Sequence, residues 1–274
     1  ALLGSDAALT LVDALALRYR VKHKNIGAAA AEAFAAAAER AGVTAEALGD
    51  RVIPWLGFTP GQPRRLQAGG KTLEVRIGRD FKLHYTDAAT RRKASLPGSV
   101  PADVKAEMRA LAELLKEVVK GQLARLEVLM VRQYRWPAAR WQELFLRHPV
   151  MVPFGVRLVW GSYRQGRLDG LFRALEDGAL TDVNDDPVAL PEDARVGIVH
   201  PLELDASARE AWLASLADYE ITPPFPQLAR PVVTPAPEAA GRKFHEELSG
   251  TSLNAMTFRG RAEKLGWRRG SVCD

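Results

Sequence analysis

The amino-terminal part of the chain carries apolar residues at helical spacing. This pattern predicts helices over residues 6–21 and 26–41, and a shorter helix near residues 44–49. Glycine and proline interrupt regular structure, and a cluster of them ends the helical pattern at Pro54, Gly57, Pro60, Gly61 and Pro63. Residues 1–58 are therefore predicted to form helical hairpins, which resemble part of a helical-repeat array.

The spacing then changes to strict alternation, which is typical of β-strands with one buried face. One alternating run extends from Leu73 to Ile77, and a second covers residues 81–85. Because a Gly-Arg-Asp turn separates the two runs, the pattern predicts a β-hairpin, and a third strand is expected through residues 92–96.

Helical spacing returns over residues 104–133 and predicts one long amphipathic helix of about eight turns. Trp136-Pro137 ends this helix, and a short helix is expected over residues 138–148, because Pro149 removes His148 from the helical region. Short β-branched or alternating segments then predict a second antiparallel meander, at residues 156–163, 171–175, 188–190 and 196–200.

The last part of the sequence predicts two helices and a connector. Ser207 and Glu210 have the spacing of a capping box, in which each side chain binds a free backbone N–H, so a helix is expected from there to Tyr219. Residues 223–237 are rich in proline and predict an extended connector. Residues 244–265 predict a further helix.

Together these patterns predict an α+β fold: helical hairpins at the N-terminus, a β-hairpin, a long central helix, and a second small antiparallel sheet with flanking helices. The predicted domains are a repeat-like helical segment at residues 1–58, an α+β core at 59–235 and a C-terminal helical segment at 236–274. Because the chain begins without methionine, we expect an excised piece of a longer protein whose C-terminal segment is truncated.

Composition indicates the cellular compartment, and the charged residues are unevenly distributed along the sequence. The 274 residues are 47% hydrophobic and 26% charged, which is typical of soluble globular chains that need neither metals nor disulfides. A single cysteine, Cys273, and the absence of a long apolar run predict a cytoplasmic location without membrane association. The net charge is +5, but residues 61–95 hold nine Lys or Arg against three acids, whereas residues 167–195 hold three against eight.

The tetrad Gly69-Gly70-Lys71-Thr72 ends like a phosphate-binding loop. Such a loop needs a further glycine where this chain has Arg65, and it must open a helix whose N-terminus supplies N–H groups. The tetrad instead precedes an alternating strand pattern, so we predict a turn that leads into a hairpin.

Two other sets of residues suggest chemistry but have simpler interpretations. Asp182, Asn184 and Asp186 have the spacing of a calcium loop, but Pro187 occupies the glycine position, so an acidic turn is predicted. The five histidines share no metal-ligand spacing, and His148 and His200, each followed by proline, are expected to bind backbone groups.

Aromatic and basic residues alternate between positions 132 and 147. Exposed aromatics beside arginines would hold single-stranded nucleic acid. At helical spacing, however, such aromatics more often belong to the core, with arginine stems packed over them. We therefore predict that the aromatic members are buried: Tyr134, Trp136, Trp141 and Phe145.

An ordered series of segments from about residue 28 onward resembles the bacterial MolR-like family, known as domain of unknown function 4132. The segments are AGVTAEALGDRVIPWLGF, KASLP, QLARLEVLMVRQYRW, HPVMVPFGVRLVWGSY, FRALEDGALTDVNDDPVAL, VGIVHPLEL, ADYEITPPFPQLARPV and LGWRRGSVCD. The resemblance implies a large bacterial protein, often with a WGR module and helical repeats, often encoded beside MoxR-type AAA+ ATPases and von Willebrand A proteins. It implies no catalytic residues and no cofactor. This sequence contains no WGR module and stops where relatives continue.

Three functions remain open. The first is a non-catalytic interaction or scaffold region of a larger bacterial regulatory protein, whose partners include an AAA+ ATPase and von Willebrand A system. The second is sequence-independent nucleic-acid binding through residues 61–95, with contacts from Arg64, Arg65, Lys71, Arg91, Arg92 and Lys93. The third is an uncharacterised enzyme with one candidate polar cluster: Asp182, Asp185, Asp186, His148 and His200. No catalytic residue, metal or cofactor is assigned.

Overall fold

A computed structural model of the chain describes residues 24–98, 100–232, 237–239 and 252–264. The chain divides into two compact units, Ala1–Leu228 and Ala229–Asp274. Within the first unit the described helices are α1 (Lys24–Arg40), α2 (Ala45–Arg51), α3 (Ala102–Val131), α4 (Ala138–Gln142), a π-helix (Glu143–Arg147), α5 (Val152–Gly155), a 3₁₀ turn (Pro201–Glu203) and α6 (Ala206–Asp218). The described part of the second unit contains a 3₁₀ turn (Pro237–Ala239) and α7 (Ala255–Lys264).

The strands form two antiparallel sheets, so the predicted α+β fold is confirmed. The first sheet has the order β1-β2-β3-β4, and the second has the order β5-β9-β6-β7-β8. Their bounds are β1 Arg64–Ala68, β2 Lys71–Ile77, β3 Leu83–Asp87, β4 Lys93–Ala94, β5 Arg135–Pro137, β6 Trp160–Arg164, β7 Arg167–Ala174, β8 Leu180–Thr181 and β9 Arg195–Ile198.

Helices α1 and α2 match the predicted pair. The side chain of Thr44 accepts a hydrogen bond from the Ala47 N–H at 3.1 Å and caps α2, because the first N–H groups of a helix have no internal partner. Phe34 and Ala38 of α1 pack against Leu48 and the following Val52. The predicted helix at residues 6–21 lies outside the described residues.

The tetrad at residues 69–72 is a hairpin turn, as predicted. Gly69 and Gly70 have φ of 60° and 78°, and Ala68 pairs directly with Lys71 across them. Two consecutive positive φ values are those of the two-residue turn that matches the twist of a hairpin, and glycine adopts them at little cost. The sequence analysis does not predict β1, which begins directly after the proline and glycine cluster at residues 54–63.

The long helix α3 joins the two sheets. Met108 and Leu111, in its first half, belong to the same buried cluster as Leu73 and Val75 of the first sheet. The second half contributes to the main core, which contains Leu126 and the apolar face of the second sheet. The predicted helix at residues 104–133 is therefore confirmed, and its apolar stripe serves two separate clusters.

The second sheet is not the predicted meander. Strand β9 lies between β5 and β6, so the last strand in sequence pairs with the first. Within the predicted strand at 156–163, only β6 forms, because Val156 caps α5 and the chain must first leave that helix. Residues 188–190 form no strand; next to them, Thr181 and Pro187 make an isolated bridge, and proline has no N–H to continue a ladder.

The cap of α6 also differs from the prediction. The helix begins at Ala206, and the Asp205 carboxylate accepts the Ala208 N–H at 2.7 Å. Ser207 therefore lies within the first turn of the helix, and Asp205 occupies the capping position instead. Of the predicted helix at 244–265, α7 covers Ala255–Lys264, and residues 252–254 are not helical. The other predicted residues lie outside the described part of the chain.

The aromatic residues near position 140 form the centre of the main core. Trp136, Trp141 and Phe145 have no exposed surface and surround Trp160 of β6. The ring centroids of Trp141 and Phe145 lie 5.2 and 4.5 Å from that of Trp160, in tilted or edge-to-face arrangements that favour aromatic packing. The prediction of burial is confirmed for these three residues, which removes them as a platform for stacked bases, whereas Tyr134 is only partly buried against the core.

Candidate functional site

Strand register gives the first sheet a polar outer face. Directly paired residues point to the same side of a sheet, and Arg65, Glu74, Thr86 and Lys93 pair in one continuous row across all four strands. Arg76 pairs with His84 in the next row. We call this side the outer face, because the opposite side holds the buried residues of the cluster on α3: Leu66, Ala68, Leu73 and Val75.

The one acid in this row is neutralised. An oxygen of Glu74, whose side chain is 9% exposed, lies 2.8 Å from Nη1 of Arg91. Arg91 reaches it from the β3–β4 turn, where its backbone has a φ of 58°. The ion pair cancels the charge of Glu74, so the remaining charge of the row is cationic.

Three cations on the outer face have no partner in the described part of the chain. Arg65, Arg76 and Lys93 are exposed, and none makes an ion pair or a side-chain hydrogen bond with another described residue. Arg92, in the adjoining turn, is also exposed and makes no ion pair or side-chain hydrogen bond with another described residue. These side chains are available to bind an anionic group without first breaking an internal bond.

Two of the six residues predicted to bind nucleic acid point elsewhere. Arg64 has the register of the buried side and forms an ion pair with Glu107 of α3. Lys71, at the start of β2, has its Nζ 3.7 Å from a carboxylate oxygen of Asp87. Hydrogen bonds from the backbone N–H groups of Thr90 and Ala89 lower the pKa of Asp87, which keeps this carboxylate charged beside Lys71.

The structure thus places Arg65 and Lys93 on the outer face, Arg91 and Arg92 in the adjoining turn, and Arg64 and Lys71 away from it. Arg76 also lies on the outer face, although it is not among the residues predicted to bind nucleic acid. Its position was accessible from the sequence, because strict alternation puts Arg76 on the same side as Glu74 and opposite Val75.

Among the described residues, the outer face has no phenylalanine, tyrosine or tryptophan ring. Tyr85 pairs with Val75 on the buried side, and the ring centroid of Phe81 lies 4.5 Å from that of Phe154 in the core. This face therefore offers guanidinium, ammonium and hydroxyl groups, which contact carboxylates and phosphates. Its one ring among the described residues is the His84 imidazole, whose Nε2 lies 2.7 Å from a carboxylate oxygen of Asp80.

The residues of the predicted catalytic cluster have different partners. The Asp185 carboxylate accepts hydrogen bonds from Arg173 at 2.6 Å and from Tyr219 at 2.5 Å. Asp182 accepts the backbone N–H groups of Asn184 and Asp186, which makes the predicted acidic turn. His148 instead packs against Trp55, with 4.3 Å between ring centroids. Among the described residues, no group of three or more His, Cys, Asp or Glu side chains has metal-binding geometry.

Both proline-preceding histidines bind backbone groups, as predicted. His200 accepts the Leu202 N–H through Nδ1 and precedes the 3₁₀ turn. Glu203 in that turn binds Arg135 and Tyr163, contacts that no local sequence signal indicates. Burial, and then the Glu203 carboxylate, raise the pKa of Tyr163, so its hydroxyl stays a donor.

His148 makes the fold sensitive to acid. Burial lowers its pKa from 6.5 to about 4, and it lies near Arg140 and Glu143. The unfolded chain therefore takes up a proton between pH 6.5 and 4 that the folded protein excludes, so this contribution to stability is complete above pH 6.5 and is lost on acidification through that range. Across this pH range the free energy of unfolding falls by about 3 kcal/mol because of His148.

The measurement compares urea unfolding of the wild type and His148→Gln at pH 7 and pH 4.5. We expect the wild type to lose more stability than the variant on acidification, and NMR titration to show a His148 pKa far below 6. Equal acid sensitivity of the two proteins, or an ordinary His148 pKa, would contradict this assignment.

Comparisons with known proteins indicate family membership, but they assign no activity. A family described as a domain of unknown function (DUF4132) matches residues 91–267. The chain is 31% identical over 279 residues to the uncharacterized protein YehI of Escherichia coli strain K12, covering 98% of this chain and 23% of that protein. No solved structure matches.

The matched family region extends over α3, the second sheet and α6. Within the described helices, none is long and apolar enough to cross a membrane. The chain spans about a quarter of the length of its E. coli relative. Because the family match covers more than half of the chain, this protein belongs to the DUF4132 family.

Proposed function

We propose that this chain is a non-catalytic interaction region, and that the outer face of the first sheet docks an acidic protein surface. The observation that carries the proposal is the row in which Arg91 neutralises Glu74 and leaves Arg65 and Lys93 unpaired within the described residues. A rigid sheet that presents cations at fixed spacing matches a partner by complementary charge, which speeds association and selects orientation.

Sequence-independent nucleic-acid binding through residues 61–95 is the second candidate. Unpaired Arg65, Arg92 and Lys93 favour it, because phosphate contacts supply most of the affinity of such binding. The buried orientation of Tyr85 and Phe81 favours the protein partner, since single-strand binders usually add stacking to charge.

The family resemblance extends the proposal to the whole protein. The chain corresponds to less than a quarter of its E. coli relative, so we place it within a larger bacterial regulatory protein of the cytoplasm. Its expected partners are an AAA+ ATPase and von Willebrand A system, and MolR-like and WGR-containing relatives supply the context for this expectation.

The test combines two anionic probes with two triple variants. Arg65→Ala/Arg76→Ala/Lys93→Ala removes the outer-face cations. Arg109→Ala/Lys116→Ala/Lys120→Ala removes three exposed cations from α3 and has the same net charge. Binding of poly-glutamate and of a 20-nucleotide oligothymidylate is measured by fluorescence anisotropy over a range of salt concentrations.

We expect the outer-face variant to bind poly-glutamate about tenfold more weakly, because each of three exposed contacts contributes up to about 1 kcal/mol. The α3 variant should bind like the wild type. Equal losses in both variants would show attraction by net charge alone and would refute the docking face. Binding of oligothymidylate without poly-glutamate would favour the second candidate.

A further inference from the structure

A cleft separate from the outer face opens where the end of α2 approaches the π-helix. Its volume is about 170 Å³, and its walls include Arg51, Trp55, Arg140, Glu143 and His148. Pockets for drug-sized ligands have volumes of about 300–1,000 Å³, so this one accommodates a single ring with a short substituent.

Trp55 supplies an aromatic wall. It is 38% exposed, whereas Trp136, Trp141, Trp160 and Trp212 are buried. The inner surface of its ring packs against His148, and the next residue, Leu56, has a left-handed backbone with a φ of 56°. A non-glycine residue in this conformation costs about 1–3 kcal/mol and is retained when the surrounding structure requires it. The Trp55 ring thus packs against His148 and remains partly exposed in the wall of the cleft.

The available charge in the cleft is positive. Arg51 is exposed and makes no ion pair with another described residue. Arg140 lies 2.6 Å from Glu143 and keeps 29% of its side chain exposed. Asp50 forms part of the wall, but its two oxygens are bound to Arg125 and Trp136. Arg51 therefore provides a cation that no described side chain neutralises.

The π-helix is a second, independent indication of function at this position. Glu143–Arg147 continues directly from α4 and contributes Glu143 and Leu144 to the wall. Such turns are rare, less stable than α-helix and frequent at functional sites, because the wider turn displaces side chains from the regular helical positions.

We propose that this cleft binds a small aromatic carboxylate, with the ring against Trp55 and the carboxylate on Arg51. Stacking on the tryptophan and a charge-assisted hydrogen bond from the guanidinium together define this ligand class. The same chemistry comes from a free aromatic acid or from the C-terminal aromatic residue of a peptide.

The experiment uses three probes: benzoate, N-acetylphenylalanine and N-acetylphenylalanine amide. Binding is measured by ligand-detected NMR relaxation with the wild type and the variants Arg51→Met and Trp55→Leu. Arg109→Met is the matched control, because Arg109 is an exposed arginine on α3 without a partner among the described residues.

We expect at least one carboxylate probe to bind the wild type and the control, and the amide to bind at least tenfold more weakly. Both cleft variants should lose at least tenfold in affinity for the carboxylate. Benzoate binding identifies a free acid as the source, and binding of N-acetylphenylalanine alone identifies a chain terminus. The proposal is overturned if neither acid binds, if the amide binds equally well, or if the cleft variants bind like the control.

Discussion

Replacing Asp50 with alanine is expected to destabilise the first unit by about 3–5 kcal/mol, because it leaves the Arg125 guanidinium buried without its counter-charge. Both side chains are 1% exposed, and the Arg125 Nη2 to Asp50 Oδ1 distance is 2.6 Å. The other Asp50 oxygen accepts the Trp136 indole N–H at 2.9 Å. One carboxylate on α2 therefore satisfies a donor on α3 and another on β5.

Arg125 also contacts the backbone of α2. Its Nη2 donates to the Glu46 carbonyl at 2.9 Å, and its guanidinium lies against Gly49. A methyl group at Gly49 would lie 3.0 Å from the Arg125 Nε. Because these contacts connect α2 to the core, residues 45–58 are expected to unfold together with it, although the sequence suggests a domain boundary near residue 58.

Urea unfolding followed by fluorescence and by circular dichroism provides the measurement. Asp218→Ala is the control, since Asp218 is exposed at the end of α6 and its removal should change stability by less than about 0.5 kcal/mol. The double variant Asp50→Leu/Arg125→Met should recover part of the loss, because an apolar pair leaves no buried charge. A stability of Asp50→Ala equal to that of the control would refute the role assigned to this ion pair.

Replacing Trp160 with alanine is expected to cost about 3–5 kcal/mol, the usual range for removing a large buried aromatic side chain. Trp160 has no exposed surface and contacts three aromatic rings of the segment between β5 and the π-helix. Its indole N–H also donates to the Gly155 carbonyl at 2.8 Å. The substitution thus opens a cavity at the centre of the main core and leaves an acceptor in α5 without its donor.

Thermal unfolding with circular dichroism detection measures this loss as a lower midpoint temperature. Trp160→Phe should retain part of the stability, because it keeps a ring but loses the N–H. Trp55→Phe is the control for removal of an indole from a half-exposed position, and its effect should be much smaller. If Trp160→Ala unfolds at the same temperature as Trp55→Phe, Trp160 is not the centre of the core.

Local signals in the sequence predicted most of the secondary structure. The turn at Gly69 and Gly70, the hairpin that follows and the 30-residue helix α3 all result from short-range periodicity and turn chemistry. The predictions failed where a choice depended on distant partners. Strand β5 has three residues and forms because β9, about 60 residues later, pairs with it.

The candidate sites also combine features with local sequence signals and features that depend on distant partners. Strict alternation puts Arg76 on the same side of the first sheet as Glu74, and the charge count of residues 61–95 locates the basic region. Arg65 joins this side only through the pairing of β1 with β2, which the sequence did not predict. Which cations remain unpaired depends on contacts such as that between Arg64 and Glu107, 43 positions apart. A count of charges contains no information on such pairs.

The class of fold, the long helix and the basic hairpin are predictable from neighbouring residues, because backbone propensity and period are local properties. The order of the second sheet, the ion pair between residues 50 and 125 and the cleft beside Trp55 are visible only in the folded molecule. These features join residues far apart in the chain, and their geometry is set by the packing of the whole core.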